Sequence, residues 1–119
     1  MSEEVIIARE TENVSGTVQI SGAKNSALKL IAATMLGQGK STLHNIPHIS
    51  DIEIMNDVIR SLGATVEWDG HSLIIDTEHA EGHDTPYELV SKMRASISVL
   101  GPLVGRFGCA RVAMPGCCK

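Results

Sequence analysis

Aromatic residues are scarce in this sequence, which has one Trp (Trp68), one Tyr (Tyr87) and one Phe (Phe107) among 119 residues. The core must therefore be built from aliphatic side chains and alanine. Hydrophobic residues still make up 43% of the chain, which is typical of a globular protein rather than a disordered one. The length fits one domain and is enough to bury a core without disulfides or metals.

Long runs of one residue type are also absent. No basic run occurs and the net charge is −4, which argues against nonspecific nucleic-acid binding but leaves room for a local cationic pocket. No stretch reaches the roughly 18 apolar residues of a membrane span. The N-terminus, MSEEVIIARE, is acidic and unlike a signal peptide. We therefore expect neither a nucleic-acid nor a membrane partner.

Cysteines are few and odd in number: Cys109, Cys117 and Cys118. This count favours reduced thiols and a cytoplasmic location. A disulfide between the neighbours Cys117 and Cys118 would close a strained ring and is not expected.

The first two thirds of the chain predict one βαβαββ unit. The alternating GTVQIS (16–21) and the short KSTLHNI (40–46) predict strands, and residues 26–36 predict a helix that is apolar nearly all round and therefore enclosed. The second helix follows a capping box of Ser50 and Glu53 and ends at Gly63. Its apolar face consists of Ile52, Met55, Val58, Ile59 and Leu62. A hairpin around Asp69-Gly70 completes the unit.

The sequence also contains an internal repeat. Residues 22–47 align with residues 90–115 at a constant offset of 68, which places Lys24 on Lys92 and Pro47 on Pro115. The repeat predicts a short strand near Tyr87–Val90, a helix from about 92 to 106 that Pro102 kinks, and a strand at 109–114. The chain thus holds one complete unit and part of a second.

In both units a cation follows a turn and precedes a helix, at Lys24 and again at Lys92 and Arg94. The first turn of a helix exposes unpaired N–H groups and the positive end of the dipole, so an added cation makes an anion site. Two such sites could converge on one multiply charged ligand. The alternative is that these residues are solvated surface charges.

Two further groups are candidates for chemistry. Cys118 follows Pro115-Gly116, where a thiol near cations could act as nucleophile or acid, or could simply end a frayed tail. His79 and His83 are four residues apart, but they lie in a polar loop without a third ligand at a recognisable spacing. We therefore predict no metal site and no cofactor.

The sequence resembles the UDP-N-acetylglucosamine enolpyruvyl transferases (1-carboxyvinyltransferases) in four stretches: GTVQISGAKNSAL, NIPHISDIEIMNDVIRSLGA, YELVSKMRASISVLGPLVGRFG and VAMPGCC. The resemblance covers nearly the whole chain from Gly16 on. Its specific parts are the blocks Ser-Gly-Ala-Lys-Asn and Met-Arg-Ala-Ser. The related shikimate-type enolpyruvyl transferases have a similar repeat but a different turn sequence, and they are the alternative within the superfamily.

The resemblance implies an α/β fold, an inside-out α/β barrel of repeated βαβαββ units with helices inside and sheet outside. It implies that residues 1–15 hold a strand of the other domain of the full-length family. Residues 16–119 would then be a partial domain, with unit one at about 16–76 and a partial unit two at about 84–119.

The resemblance also implies a bacterial cytoplasmic enzyme of peptidoglycan precursor synthesis. Such an enzyme transfers the enolpyruvyl group of phosphoenolpyruvate to the 3-hydroxyl of UDP-N-acetylglucosamine and releases phosphate. By motif match, Lys24 holds phosphoenolpyruvate, Asn25 binds the tetrahedral centre and the sugar, Arg94 helps to bind the substrates, and Cys118 is the catalytic general acid.

Two departures from the family pattern bear on this function. Cys117 stands where the family has glycine, and the sequence stops at Lys119, before an arginine and the aspartate base of the family site. We therefore expect negligible turnover from this chain alone. The alternatives are a non-catalytic module that self-associates through unpaired strand edges, and an anion-binding domain of unrelated function.

Overall fold

The computed structural model describes residues 4–82, 84–92 and 94–113. Helix α1 spans Lys24–Ala33 and continues as a 3-10 turn over Thr34–Leu36. Strand β1 spans Lys40–Leu43, helix α2 spans Ser50–Ser61, and the hairpin strands β2 and β3 span Thr65–Asp69 and Ser72–Asp76. A short helix α3 (Tyr87–Val90), a 3-10 segment (Arg94–Val99) and helix α4 (Leu100–Phe107) follow.

The three strands form one antiparallel sheet in the order β1-β3-β2. Alternate residues of the hairpin, Val66, Leu73 and Ile75, are buried in the core, as the period of two predicts. The loop between the strands is Gly70-His71, because Asp69 pairs with Ser72. The predicted hairpin is therefore confirmed.

Helix α2 supplies the centre of the core. Its predicted apolar face is confirmed, since none of its five residues has measurable solvent exposure: Ile52, Met55, Val58, Ile59 and Leu62. Burial of each such side chain contributes roughly 1.5–3 kcal/mol. The helix ends as expected, with Gly63 in the left-handed region at φ +97°.

The predicted capping box is wrong. The N-cap of α2 is Ile49, whose carbonyl accepts the first helical bonds from Ile52 and Glu53, and it makes no side-chain capping bond. Ser50 is already helical. The Glu53 carboxylate instead accepts a 2.6 Å hydrogen bond from Trp68 Nε1 of β2. The Glu53 side chain, which the capping box requires, is therefore used in a tertiary hydrogen bond to Trp68 instead.

Helix α1 is buried on one side rather than all round. Leu28 and Ile31 lie in the core, whereas Leu30 is 49% exposed and Leu36 is 56% exposed. The prediction of an enclosed helix therefore does not hold for this chain, because within the described residues α2 and the 3-10 segment cover only part of its apolar surface.

Three predicted strands are absent from the described residues. Residues 16–21 form no strand, and Val18 and Ile20 are exposed. Tyr87–Val90 is a helical turn, because the carbonyl of Pro86 accepts bonds from Leu89 and Val90. The part of 109–114 that is described makes only an isolated parallel bridge between Asp84 and Arg111.

The predicted helix at 92–106 is divided in two. A 3-10 segment precedes α4, and Pro102 lies in the first turn of α4, where its missing N–H costs no helical bond, so it begins a helix rather than kinking one. Arg106 then anchors α4 to the first unit. Its guanidinium donates to the carbonyls of Gly37 (2.9 Å) and Thr77 (2.7 Å).

Candidate functional site

The turn that leads into α1 is fixed by a close backbone contact. A Cβ on Gly22 would lie 1.8 Å from the carbonyl oxygen of Asn45, so only glycine fits there. Asn45 itself has φ +57°, and the next residue, Ile46, donates to the carbonyl of His71 in the hairpin loop. The start of α1, the exit of β1 and the hairpin loop therefore meet at one point.

The N-terminus of α1 has the features of an anion site. Its N-cap is Ala23, no side chain caps it, and no acidic residue lies in its first turn. The first helical bond is donated by Ala27, so the N–H groups of Lys24, Asn25 and Ser26 face outward without a helical acceptor. Lys24 adds a full positive charge to this partial positive charge, which favours an anion there.

The Lys24 ammonium group contacts Asp51, a residue of the first turn of α2. The distance from Lys24 Nζ to Asp51 Oδ2 is 3.2 Å, and the two side chains are 50% and 32% exposed. Sequence reasoning missed Asp51, because no local motif joins positions 24 and 51. Only the packing of α1 on α2 brings them together.

The other predicted site residues lie as follows. Asn25 is exposed in the first turn of α1, and Arg94 is exposed as the first residue of the 3-10 segment, which contacts α1. The helix that carries Lys24 and the 3-10 segment that carries Arg94 therefore pack against each other. Their convergence on one ligand stays a prediction. Cys118 lies outside the described residues.

A cleft of about 160 Å³ lies beside the first turn of α1. Of the described residues, those that line it include Gly22, Ser26 and Asn45, but not Lys24 or Asn25. A second cleft of about 300 Å³ lies between residues 19–21, Asn45 and His71. The clefts flank the Gly22–Asn45 contact, while the lysine points to α2, so the cation and the clefts occupy different surfaces of the same turn.

Two negative findings apply to the described part of the chain. No group of three or more His, Cys, Asp or Glu side chains is placed to hold a metal ion. No helix there has the length and apolar character required to cross a membrane.

Comparison with known proteins identifies the family. Residues 8–119 match the family model described as EPSP synthase (3-phosphoshikimate 1-carboxyvinyltransferase). The chain is similar to the UDP-N-acetylglucosamine 1-carboxyvinyltransferase of Chloroherpeton thalassium, with 46% identity over 97% of this chain and 27% of that protein. It is similar to the protein of the same name from Mycolicibacterium paratuberculosis, with 52% identity over 87% of this chain and 25% of that protein.

A solved structure agrees with these relatives. The chain is similar to the enolpyruvyl transferase NikO from Streptomyces tendae, with a TM-score of 0.70 and 28% identity over 79% of this chain and 22% of that chain. The described helices and sheet are consistent with part of the predicted inside-out α/β barrel. The chain spans about a quarter of the length of the curated relatives it matches. With nearly all of its residues matched by the family model, the chain belongs to the EPSP synthase (3-phosphoshikimate 1-carboxyvinyltransferase) family.

Proposed function

We propose that this chain supplies the phosphoenolpyruvate-binding part of an enolpyruvyl transferase that acts on UDP-N-acetylglucosamine. The observation that carries the proposal is the first turn of α1, which has no side-chain cap, contains no carboxylate and begins with Lys24. Phosphoenolpyruvate carries a phosphate and a carboxylate, so it suits a site built from N–H groups and cations. The names of the curated relatives favour UDP-N-acetylglucosamine over shikimate 3-phosphate as acceptor.

In the proposed reaction, the 3-hydroxyl group of the sugar gives up its proton to a base and its oxygen adds to the central carbon of phosphoenolpyruvate, while the methylene carbon of phosphoenolpyruvate gains a proton. The tetrahedral product then loses phosphate and a proton to restore the double bond. Lys24 and the N–H groups of α1 hold the phosphate, Asn25 hydrogen-bonds the tetrahedral centre, and Arg94 binds a second anionic group. Cys118 gives the proton to the methylene carbon. The proposed setting is peptidoglycan precursor synthesis in a bacterial cytoplasm.

The anion-binding step is tested by calorimetric titration of the chain with phosphoenolpyruvate. We expect Lys24→Ala to weaken binding by about tenfold or more, because charged hydrogen bonds of this kind contribute about 1.5–3 kcal/mol. Lys29→Ala is the matched control, since it removes the same charge from an exposed position of the same helix. Equal affinities for the two variants would refute the proposed site.

Turnover is tested by phosphate release from phosphoenolpyruvate in the presence of UDP-N-acetylglucosamine. We expect negligible release from this chain alone, because positioning and electrostatics supply most of such a rate and the chain spans only a quarter of its relatives' length. Release that disappears in Cys118→Ala would contradict this expectation and would make the chain an active transferase.

A second candidate function is self-association, and it rests on strand edges. Among the described residues β1 and β2 each pair with β3 alone, so each leaves one edge unpaired. The segment before α1 also exposes Val5, Ile6 and Ile7. Unpaired edges beside apolar segments promote pairing between copies. Sedimentation velocity tests this candidate: a mass that rises with protein concentration supports it, and a monomer at all concentrations opposes it.

A further inference from the structure

Asp51 is the carboxylate that any anion at Lys24 must face. It lies in the first turn of α2, where the unpaired N–H groups of that helix favour a negative charge. Its Oδ2 lies 3.2 Å from Lys24 Nζ, so one ion pair bridges the N-termini of α1 and α2. Asp51 is also the less exposed of the two side chains, at 32% against 50%, so water screens its charge less.

An anion that contacts Lys24 would lie at most about 6 Å from the Asp51 carboxylate, since each charged contact spans about 3 Å. At that separation two like charges at a protein surface repel each other appreciably, and the repulsion grows with the charge of the ligand. Lys24 already has one negative partner, so it can neutralise only part of a second.

Resting on the function proposed above, we infer that Asp51 is a specificity-determining residue of the anion site: it competes with the ligand for Lys24. It lowers the affinity of Lys24 for any single anionic group, and it does so more for a dianion than for a monoanion. Tight binding of a ligand with several negative charges then requires a second cation, which Arg94 would supply. Asp51 thereby makes the site selective for ligands that contact both Lys24 on α1 and Arg94 on the 3-10 segment.

The inference is tested by titrating the chain with inorganic phosphate and, separately, with acetate. Binding is monitored through the NMR amide signals of residues 24–26. We expect Asp51→Asn to bind phosphate about 3- to 10-fold more tightly than the wild-type chain, with a smaller gain for acetate. The gain should shrink in high salt, because the pair is partly exposed. It should vanish when Asp51→Asn is combined with Lys24→Met.

The matched control is Glu53→Gln. Glu53 lies in the same turn of α2, and its replacement changes the net charge by the same amount without touching Lys24. We expect it to leave phosphate affinity within about twofold of wild type. A gain equal to that of Asp51→Asn would mean that net charge alone is responsible, and it would overturn the inference.

The remaining outcomes separate the two proposals. If phosphate binding depends on Lys24 but Asp51→Asn binds equally or more weakly, then Asp51 only orients or stabilises, and the inference fails while the proposed site stands. If neither the wild-type chain nor Asp51→Asn shows Lys24-dependent binding, both proposals fail. Circular dichroism spectra of each variant establish that the helices are intact in the titrated samples.

Discussion

The first turns of α1 and α2 lie side by side and are built in opposite ways. Helix α2 begins with two carboxylates, Asp51 and Glu53, and ends with Arg60, which is the arrangement that its dipole favours. Helix α1 begins with Lys24, has no acid in its first turn and has no base in its last. Helix α2 is thus arranged for stability, whereas α1 accepts an electrostatic cost at the end where an anion would be most stabilised.

The largest expected effect is on the free energy of unfolding, and it arises because α2 is more deeply buried than α1. Ile59→Ala in α2 should lower the free energy of unfolding by about 2–5 kcal/mol, because Ile59 is fully buried in the core. Leu30→Ala in α1 should cost less than about 1 kcal/mol, since Leu30 is half exposed. Urea unfolding followed by circular dichroism measures both. Equal losses would show that the two helices contribute alike to the core.

The next effect concerns the turn that holds α1 in place. Gly22→Ala should destabilise the chain by about 1–3 kcal/mol or more, because the new Cβ must displace the carbonyl of Asn45. Gly37→Ala is the control, since a Cβ there meets nothing within 4 Å. Thermal unfolding of the two variants should differ clearly. If they melt together, the close contact does not constrain α1.

A smaller effect tests the cation at the far end of α2. Arg60 donates hydrogen bonds to Asp57 and to the carbonyl of Val66, each at 3.0 Å. Its positive charge also interacts favourably with the negative, C-terminal end of the α2 dipole. Arg60→Met should therefore cost about 1–2 kcal/mol of stability and leave phosphoenolpyruvate affinity unchanged. Lys24→Met should instead weaken phosphoenolpyruvate binding and change stability by less than about 1 kcal/mol, because it loses the ion pair to Asp51 but also removes a cation from the positive end of the α1 dipole. Loss of ligand affinity in Arg60→Met would blur the distinction between the helices.

The smallest effect concerns Asp51, one of the two acids in the first turn of α2. Asp51→Asn should lower stability by about 0.5–1 kcal/mol, because it loses both the dipole interaction and the ion pair to Lys24. Differential scanning calorimetry of this variant should therefore show a lower melting temperature, even though the same variant is expected to bind phosphate more tightly. A melting temperature at or above that of wild type would show that the pair with Lys24 does not stabilise the fold.

Local patterns predicted the parts of the fold that local forces decide. The apolar face of α2 and the hairpin around Gly70 follow from periodicities of 3.6 and two within short stretches, and both are present. The strands expected at 16–21 and 87–90 are not, because a strand exists only where a partner offers its edge. At 87–90 the preceding Pro86 favours a helical turn instead.

The candidate site was predictable only in part for the same reason. A cation at the start of a helix is visible in the sequence, so the sequence predicts Lys24 as a site residue. The partner that limits it, Asp51, belongs to another helix, and the Gly22–Asn45 contact likewise joins residues 23 positions apart. These contacts depend on how the elements pack, which spacing along the chain does not encode.

The position of Trp68 gives this protein a built-in optical reporter. Trp68 is the single tryptophan of the chain. Its indole N–H donates a hydrogen bond to Glu53 of α2, and its ring stacks on His48 with 3.8 Å between the ring centroids. Its fluorescence therefore reports the joint between α2 and the hairpin, while α1 contains no indole of its own. A change in Trp68 emission during an anion titration would mean that binding at Lys24 alters the contact between α2 and the hairpin.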